Sequence, residues 1–227
     1  ENGKGWMAVV ESAMSLTTGL VNRAKDLALQ GANGVNSDQS REALATELEG
    51  IRADLLAQAN TTYLGRTVFA GNSDAGVAFR AGSDPEFTGA AGSQVIRSVG
   101  EGMEVRVDAD GAAIFGTGTG SVFKAIDTLV AGLRAGTDIT PSIGELDAHL
   151  KTIIGAHGEI GTRHARLLRA EETNMDKKLS LEATRAGIED ADLAETALEL
   201  QLQRINYDAA LQVTAKVLPN SLMDFLR

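Results

Sequence analysis

The stretch LDAHLKTIIGAHGEIGTRHARL, residues 146–167, repeats apolar and histidine side chains at Leu146, Leu150, Ile153, His157, Ile160, His164 and Leu167, in alternating steps of four and three. That is the seam of a long helix, and it continues in less apolar form through Glu171, Asn174, Lys178 and Leu181 before Gly187 breaks it near Ile188. Pro141 suits its first turn. At ~1.5 Å per residue such an element reaches roughly 50 Å and needs a partner of similar length. The search for that partner leads back to the first 60 residues.

From about Trp6 to Gln30, Val9, Ala13, Leu16, Leu20, Ala24 and Leu27 form one helical stripe. Residues 31–36, GANGVN, are turn chemistry, and Ser37 or Asp38 can cap the next helix. That helix runs to about Asn60 on Leu44, Leu48, Ile51 and Leu55, backed by Ala45, Leu56 and Ala59. The two make a helical hairpin with a shared apolar seam. Composition changes at Thr61. Between Tyr63 and Gly120, glycines separate short β-prone runs at 66–70, 94–99 and 103–107. The spacing predicts a hairpin over Glu104–Phe115, turning at Asp108–Gly111, and a weaker turn at Ser83–Glu86. Helix resumes from Ser121 to Arg134 and stops at Gly136.

The fold class read from this order is mainly α with a small β domain: a long-helix bundle with a β-rich section inserted between its halves. The division is residues 1–62 and 121–187 as the two halves of the helical core, 63–120 as the insert, and 188–227 as a terminal helix and tail. In that last part Leu198, Leu202, Ile205, Ala209, Val213 and Val217 share a face, Pro219 is expected to end the helix, and the tail SLMDFLR, residues 221–227, is apolar for a terminus. An apolar helix closing a chain of net charge −10 calls for burial against something else.

Composition excludes several functions. Lys and Arg number 21 against 31 Asp and Glu, a balance that repels phosphate backbones and anionic lipid, so neither nucleic acid nor membrane is an expected partner. There is no cysteine, which removes thiol catalysis, thiolate metal sites and disulfides. No apolar run approaches the roughly 20 residues of a membrane span, and no basic-then-apolar signal layout opens the sequence.

The candidate chemical sites each have a plainer reading. His157 and His164 share a face but lie roughly 10 Å apart along the axis, too far to chelate one ion, and His149 comes no closer. The glycine-rich Phe115–Phe123 segment, with Gly116, Gly118, Gly120 and Ser121, follows a possible strand and opens a helix, as a pyrophosphate cradle would, but lacks the third glycine of the dinucleotide fingerprint and any P-loop lysine. Asp108 and Asp110 lack the other ligands of a calcium loop. Asp190, Asp192 and Glu195 suit a helix start, Arg163, Arg166 and Arg169 with Glu171 and Glu172 a solvated face, and Asn60-Thr-Thr62 matches a glycosylation acceptor pattern of the kind chance supplies. No catalytic constellation, cofactor or metal site emerges, and an enzyme is not expected.

Two segments near the ends carry a resemblance. Residues 187–195, GIEDADLAE, are similar to the motif that opens the C-terminal assembly helix of the flagellin superfamily, and residues 29–34, LQGANG, resemble its loop between the first core helices. Residues 65–71, GRTVFAG, and the tail 221–227 look like the hook-associated proteins of the hook–filament junction within that superfamily. The likeness covers about residues 6–74 and 142–227. It implies a bacterial flagellar structural subunit for motility, exported by the type III apparatus without a cleaved signal peptide, extracellular, and self-assembling through coiled helices. The implied assembly interface is Leu193, Leu198, Leu202, Ile205, Ala209, Val213, Val217, Leu222, Phe225 and Leu226. The implied partners are other copies of the chain, a neighbouring hook-associated protein, flagellin and an export chaperone. The family's N-terminal assembly segment is expected to lie outside this sequence. Filament flagellin with a small outer domain is the alternative, and a nucleotide-binding enzyme using Gly116–Ser121 the distant one.

Overall fold

The computed structural model describes residues 2–33, 36–82, 84–90, 92–100, 102–189 and 193–225, with backbone alone at 193–194 and 218–225. By packing, the chain divides into residues 1–174 and residues 175–227.

Helices α1 (Asn2–Ala32) and α2 (Asp38–Ala59) form the expected hairpin. Asn36 closes its turn by donating from Nδ2 to the carbonyls of Gln30 (2.6 Å) and Asn33 (2.9 Å). Ser37 then caps α2, its hydroxyl accepting from the Ser40 amide at 3.2 Å. The α2 stripe of Leu44, Leu48, Ile51 and Leu55 is buried as read. The α1 stripe is rotated: Val10, Met14, Thr17, Val21 and Ala28 join Ala13, Ala24 and Leu27 inside, while Leu16 is 54% exposed.

Helix α4 (Val122–Ala135) is capped by Ser121, whose hydroxyl accepts from the Lys124 amide at 3.2 Å, and ends at left-handed Gly136. It runs antiparallel along α2, tied by Arg52–Asp127 (2.6 Å) and by Arg134, which reaches Glu42 (2.8 Å) and Glu49 (2.7 Å). The long helix α5 (Thr140–Glu189) has Pro141 in its first turn. Along α1 it is antiparallel, with Lys25–Asp147 (2.5 Å), Glu11–His164 (2.5 Å) and Lys4–Glu171 (3.0 Å) spaced down the pair. Its seam of Leu146, Leu150, Ile153, Ile160 and Leu167 is buried. The partner expected of the long periodic helix is therefore α1.

Residues 62–106 form three two-stranded antiparallel sheets: β1 (Thr62–Tyr63) with β2 (Arg66–Thr67), β3 (Phe79–Arg80) with β4 (Glu86–Phe87), and β5 (Ile96–Gly100) with β6 (Met103–Arg106). The weaker turn read at Ser83–Glu86 falls between β3 and β4, with Ser83 itself outside the described residues. The hairpin expected over Glu104–Phe115 does not form. Instead β6 pairs backward, with Arg97 opposite Val105, and Gly111–Phe115 is a short helix, α3. Two aspartates decide this. Asp108, its side chain wholly buried, accepts from the Val95 amide (2.8 Å) and from Arg106 (2.9 and 3.0 Å), which pulls the chain toward the preceding strand. Asp110 accepts from the Ala113 amide and caps α3.

The strand expected over 66–70 is only two residues long, because Val68, Phe69 and Ala70 turn into the core instead. Phe69, Phe79, Phe115 and Phe123 form an aromatic knot with ring centroids 5.3–5.9 Å apart, fastening this section to α4. Asn60, at the end of α2, holds β3: it donates to the Phe79 carbonyl and accepts from the Ala78 and Phe79 amides, each at 2.8 Å. Asn60→Ala would strand those backbone groups and is expected to destabilise the unit by about 2 kcal/mol, read as a shifted midpoint in urea unfolding.

In residues 175–227, α5 continues to Glu189 and α6 spans Leu193–Phe225. The helix runs through Pro219 rather than ending there. Proline removes one donor, which leaves the Ala215 carbonyl without its i−4 partner, yet the helix continues to Phe225.

Candidate assembly surface

Helix α6 presents Leu198, Leu202, Ile205, Ala209, Val213 and Val217 on one face, and each is exposed, the five larger side chains by more than half. The structure therefore brings together six of the ten residues expected at the interface. Leu193, Leu222 and Phe225 lie where only backbone is described, and Leu226 lies outside the described residues, as do Asp190 and Asp192. Glu195 sits in the first turn of α6, where a carboxylate favours the positive end of the helix dipole.

A second apolar row escaped the sequence reading. Leu200, Tyr207 and Leu211 are also more than half exposed and fall on the opposite side of α6. Their spacing of seven and four was legible, but the stronger row beside them masked it. A helix apolar on two sides is suited to burial between two neighbours, and a single partner would leave one row in water. Arg204 and Asp208 supply charge between the rows on one side.

The other candidate sites resolve into structure. The glycine-rich segment follows α3, not a strand, and Gly118–Gly120 form a 3-10 turn. Gly116 has φ 75°, and a Cβ there would lie 2.2 Å from the Gly120 carbonyl oxygen, so glycine is required by the turn itself. Of the amides at the start of α4, that of Lys124 is held by the Ser121 hydroxyl. His164 is engaged with Glu11, and burial lowers the pKa of His149. Among the described residues no group of three His, Asp or Glu could hold a metal ion. Asn60 is tied to β3, its Nδ2 donating to the Phe79 carbonyl and its Oδ1 accepting from the Ala78 and Phe79 amides. Of the solvated face read at 163–172, Arg163 pairs with Glu159 instead, and Glu171 with Lys4. Among the described residues no helix is long and apolar enough to cross a membrane.

Charge at the α2–α4 contact makes stability depend on pH. Hydrogen bonds from Arg134 hold Glu42 and Glu49 below the usual carboxylate range. Carboxylates depressed in the folded state contribute stability above their unfolded pKa, and it is lost as pH falls through the folded one. A Glu42→Gln, Glu49→Gln double variant is therefore expected to melt below the parent at pH 7 and to converge with it near pH 3, as followed by circular dichroism.

The family profile of the bacterial flagellin N-terminal helical region matches residues 1–74, which span α1, α2, β1 and β2. Flagellar hook-associated protein 3 of Salmonella typhimurium is 25% identical over an alignment covering 92% of this chain and 73% of that protein. Residues 1–74 thus match a flagellin-type N-terminal helical region. Flagellar hook-associated protein 3 of Escherichia coli K12 is 30% identical, over 66% of this chain and 44% of its own length. In fold, the chain matches a putative flagellar hook-associated protein from Vibrio parahaemolyticus with a TM-score of 0.73 at 23% identity, covering 81% of this chain and 85% of that one.

Proposed function

We propose that the chain is a structural subunit of the bacterial flagellum that joins hook to filament, with no catalytic role. The observation that carries the reading is α6, apolar on two sides and exposed along both, in a chain whose Salmonella relative, aligned over 92% of this chain, is a hook-associated protein. Such a helix is unfavourable in water and favourable between neighbouring helices, so assembly is the state in which its burial is realised. Partners on this reading are further copies of the chain, an adjoining hook-associated protein, flagellin and, before export, a chaperone covering α6. The place of action is the extracellular flagellum. The organisation that serves it is a helical core of 1–62 and 121–187, a β-rich insert of 63–120 facing outward, and an assembly helix and tail of 188–227.

Filament flagellin is the second reading, favoured by the profile that matches residues 1–74. One experiment separates the two: deletion of the gene in its host, scored by electron microscopy. Bare hooks with flagellin shed into the medium are the expected result. Filaments shortened or lost without shedding would favour the flagellin reading, and intact filaments would overturn both.

A further inference from the structure

The turn joining β3 to β4 carries the sequence's one Asp–Pro bond, Asp84–Pro85. Proline makes that bond a tertiary amide, whose nitrogen accepts a proton and departs more readily than that of an ordinary peptide. The aspartate carboxylate is tethered two carbons from the same carbonyl, so its attack closes a five-membered ring. Intramolecular reactions of this kind have their translational and rotational entropy already spent.

The structure treats the two residues differently. Asp84 is exposed, its side chain by more than half, so water reaches it, whereas Pro85 is buried. Both shoulders of the turn are pinned by cations. Arg52 of α2 donates to the Gly82 carbonyl at 3.0 Å, and Lys124 of α4 pairs with the Asp84 carboxylate at 3.1 Å. The other charges beside the turn, Arg80 and Glu86, pair with each other at 3.0 Å across the ladder. Among the described residues Lys124 is thus the cation that meets the aspartate. Each side of the bond is also anchored independently of the turn. Before it, Phe79 is fully buried and tied to Asn60. After it, Phe87 packs on Phe79 with ring centroids 5.2 Å apart, and the Thr88 amide donates to the Ala78 carbonyl at 2.8 Å. A break at residue 84 leaves both strands held.

We propose that Asp84–Pro85 is a self-cleaving bond restrained by Lys124. A carboxylate oxygen of Asp84 attacks the Asp84 carbonyl carbon, the C–N bond to Pro85 breaks, and the proline nitrogen leaves with a proton taken from solvent. The cyclic anhydride left behind is opened by one water to a C-terminal aspartate. One water is consumed overall, nothing is oxidised or reduced, and Pro85 becomes a new N-terminus. Acid favours the reaction because the leaving nitrogen must gain a proton. Lys124 opposes it, since an oxygen held by an ammonium is a poorer nucleophile and must be freed before it turns onto its own carbonyl. Neither step depends on the flagellar role.

The purified full chain is incubated at pH 4, with circular dichroism confirming that it is folded, and the products are separated in urea and weighed by mass spectrometry. Fragments 1–84 and 85–227 are expected, eluting together on gel filtration until urea is added. Lys124→Met is expected to speed cleavage about two- to fivefold, the range open to one exposed ion pair, and Asp84→Glu or Pro85→Ala to stop it. In urea-unfolded chains, where the pair is absent, the parent and Lys124→Met are expected to be cut at the same rate, which separates the restraint from a loss of stability. Equal rates in the folded chains, or slower cleavage of Lys124→Met, would overturn the restraint. A folded parent that stays intact while its unfolded form is cut, or cutting that persists in Asp84→Glu, would overturn the site itself.

Discussion

Phe79→Ala is expected to unfold much of the molecule's β section and to lower the melting temperature of the chain by roughly 6–20 °C. The ring is fully buried and contacts three others, with centroids 5.2 Å from Phe87, 5.7 Å from Phe115 and 5.4 Å from Phe123. Truncating a buried phenylalanine costs about 3–5 kcal/mol through lost transfer and the cavity left behind. For a unit of this size each kcal/mol is worth roughly 2–4 °C. The sheets cannot absorb the loss, since each has only two strands and an isolated hairpin is marginal in water. Phe79→Leu is the control, keeping most of the volume, and should cost much less. Differential scanning calorimetry of both variants checks the pair, and equal melting would show that the aromatic knot does not hold the section.

That knot explains which parts of the fold were legible in the sequence. Helices declare themselves locally: the step of three and four at Leu44, Leu48, Ile51 and Leu55, or at Leu146 through Leu167, is the same whether or not a partner is present. Caps are local too, and Ser37, Ser121 and Gly136 stand where turn chemistry put them. The β section is different because its organisation is set by contacts distant in sequence. Nothing in residues 104–115 reveals that Asp108 will accept from Val95, or that Gly111 will lie against Phe69, and without those contacts a hairpin was the reasonable local solution. The α1 stripe failed for a related reason. Val9, Leu16 and Leu20 and the row of Val10, Met14, Thr17 and Val21 both have helical periodicity, and the choice between them belongs to the neighbours. On α6 the six residues read as one apolar row are exposed together, whereas the opposite row of Leu200, Tyr207 and Leu211 is hidden in the sequence behind the stronger periodicity of the first.

The second large effect concerns that helix. Leu202→Asp with Ile205→Asp is expected to abolish assembly while leaving the fold of residues 1–174 intact. Both side chains are more than half exposed in the free chain, so the exchange removes no internal contact, and surface substitutions of this kind usually fall within about 0.5 kcal/mol. Calorimetry of the purified chain should therefore be nearly unchanged. On the proposed assembly role the same two positions become enclosed by neighbouring helices, where an unpaired carboxylate carries a desolvation penalty of several kcal/mol per ion. Summed over a ring or helix of copies, that penalty exceeds what any single contact can offset. Cells carrying the double variant should be non-motile, with hooks that shed flagellin, whereas the purified variant keeps its melting curve. Leu200→Asp with Tyr207→Asp tests the second row separately. If α6 is enclosed on both sides, that variant fails in the same way. If only the first row is buried in the assembly, cells with the second variant swim, and α6 lies at a surface with one face toward solvent.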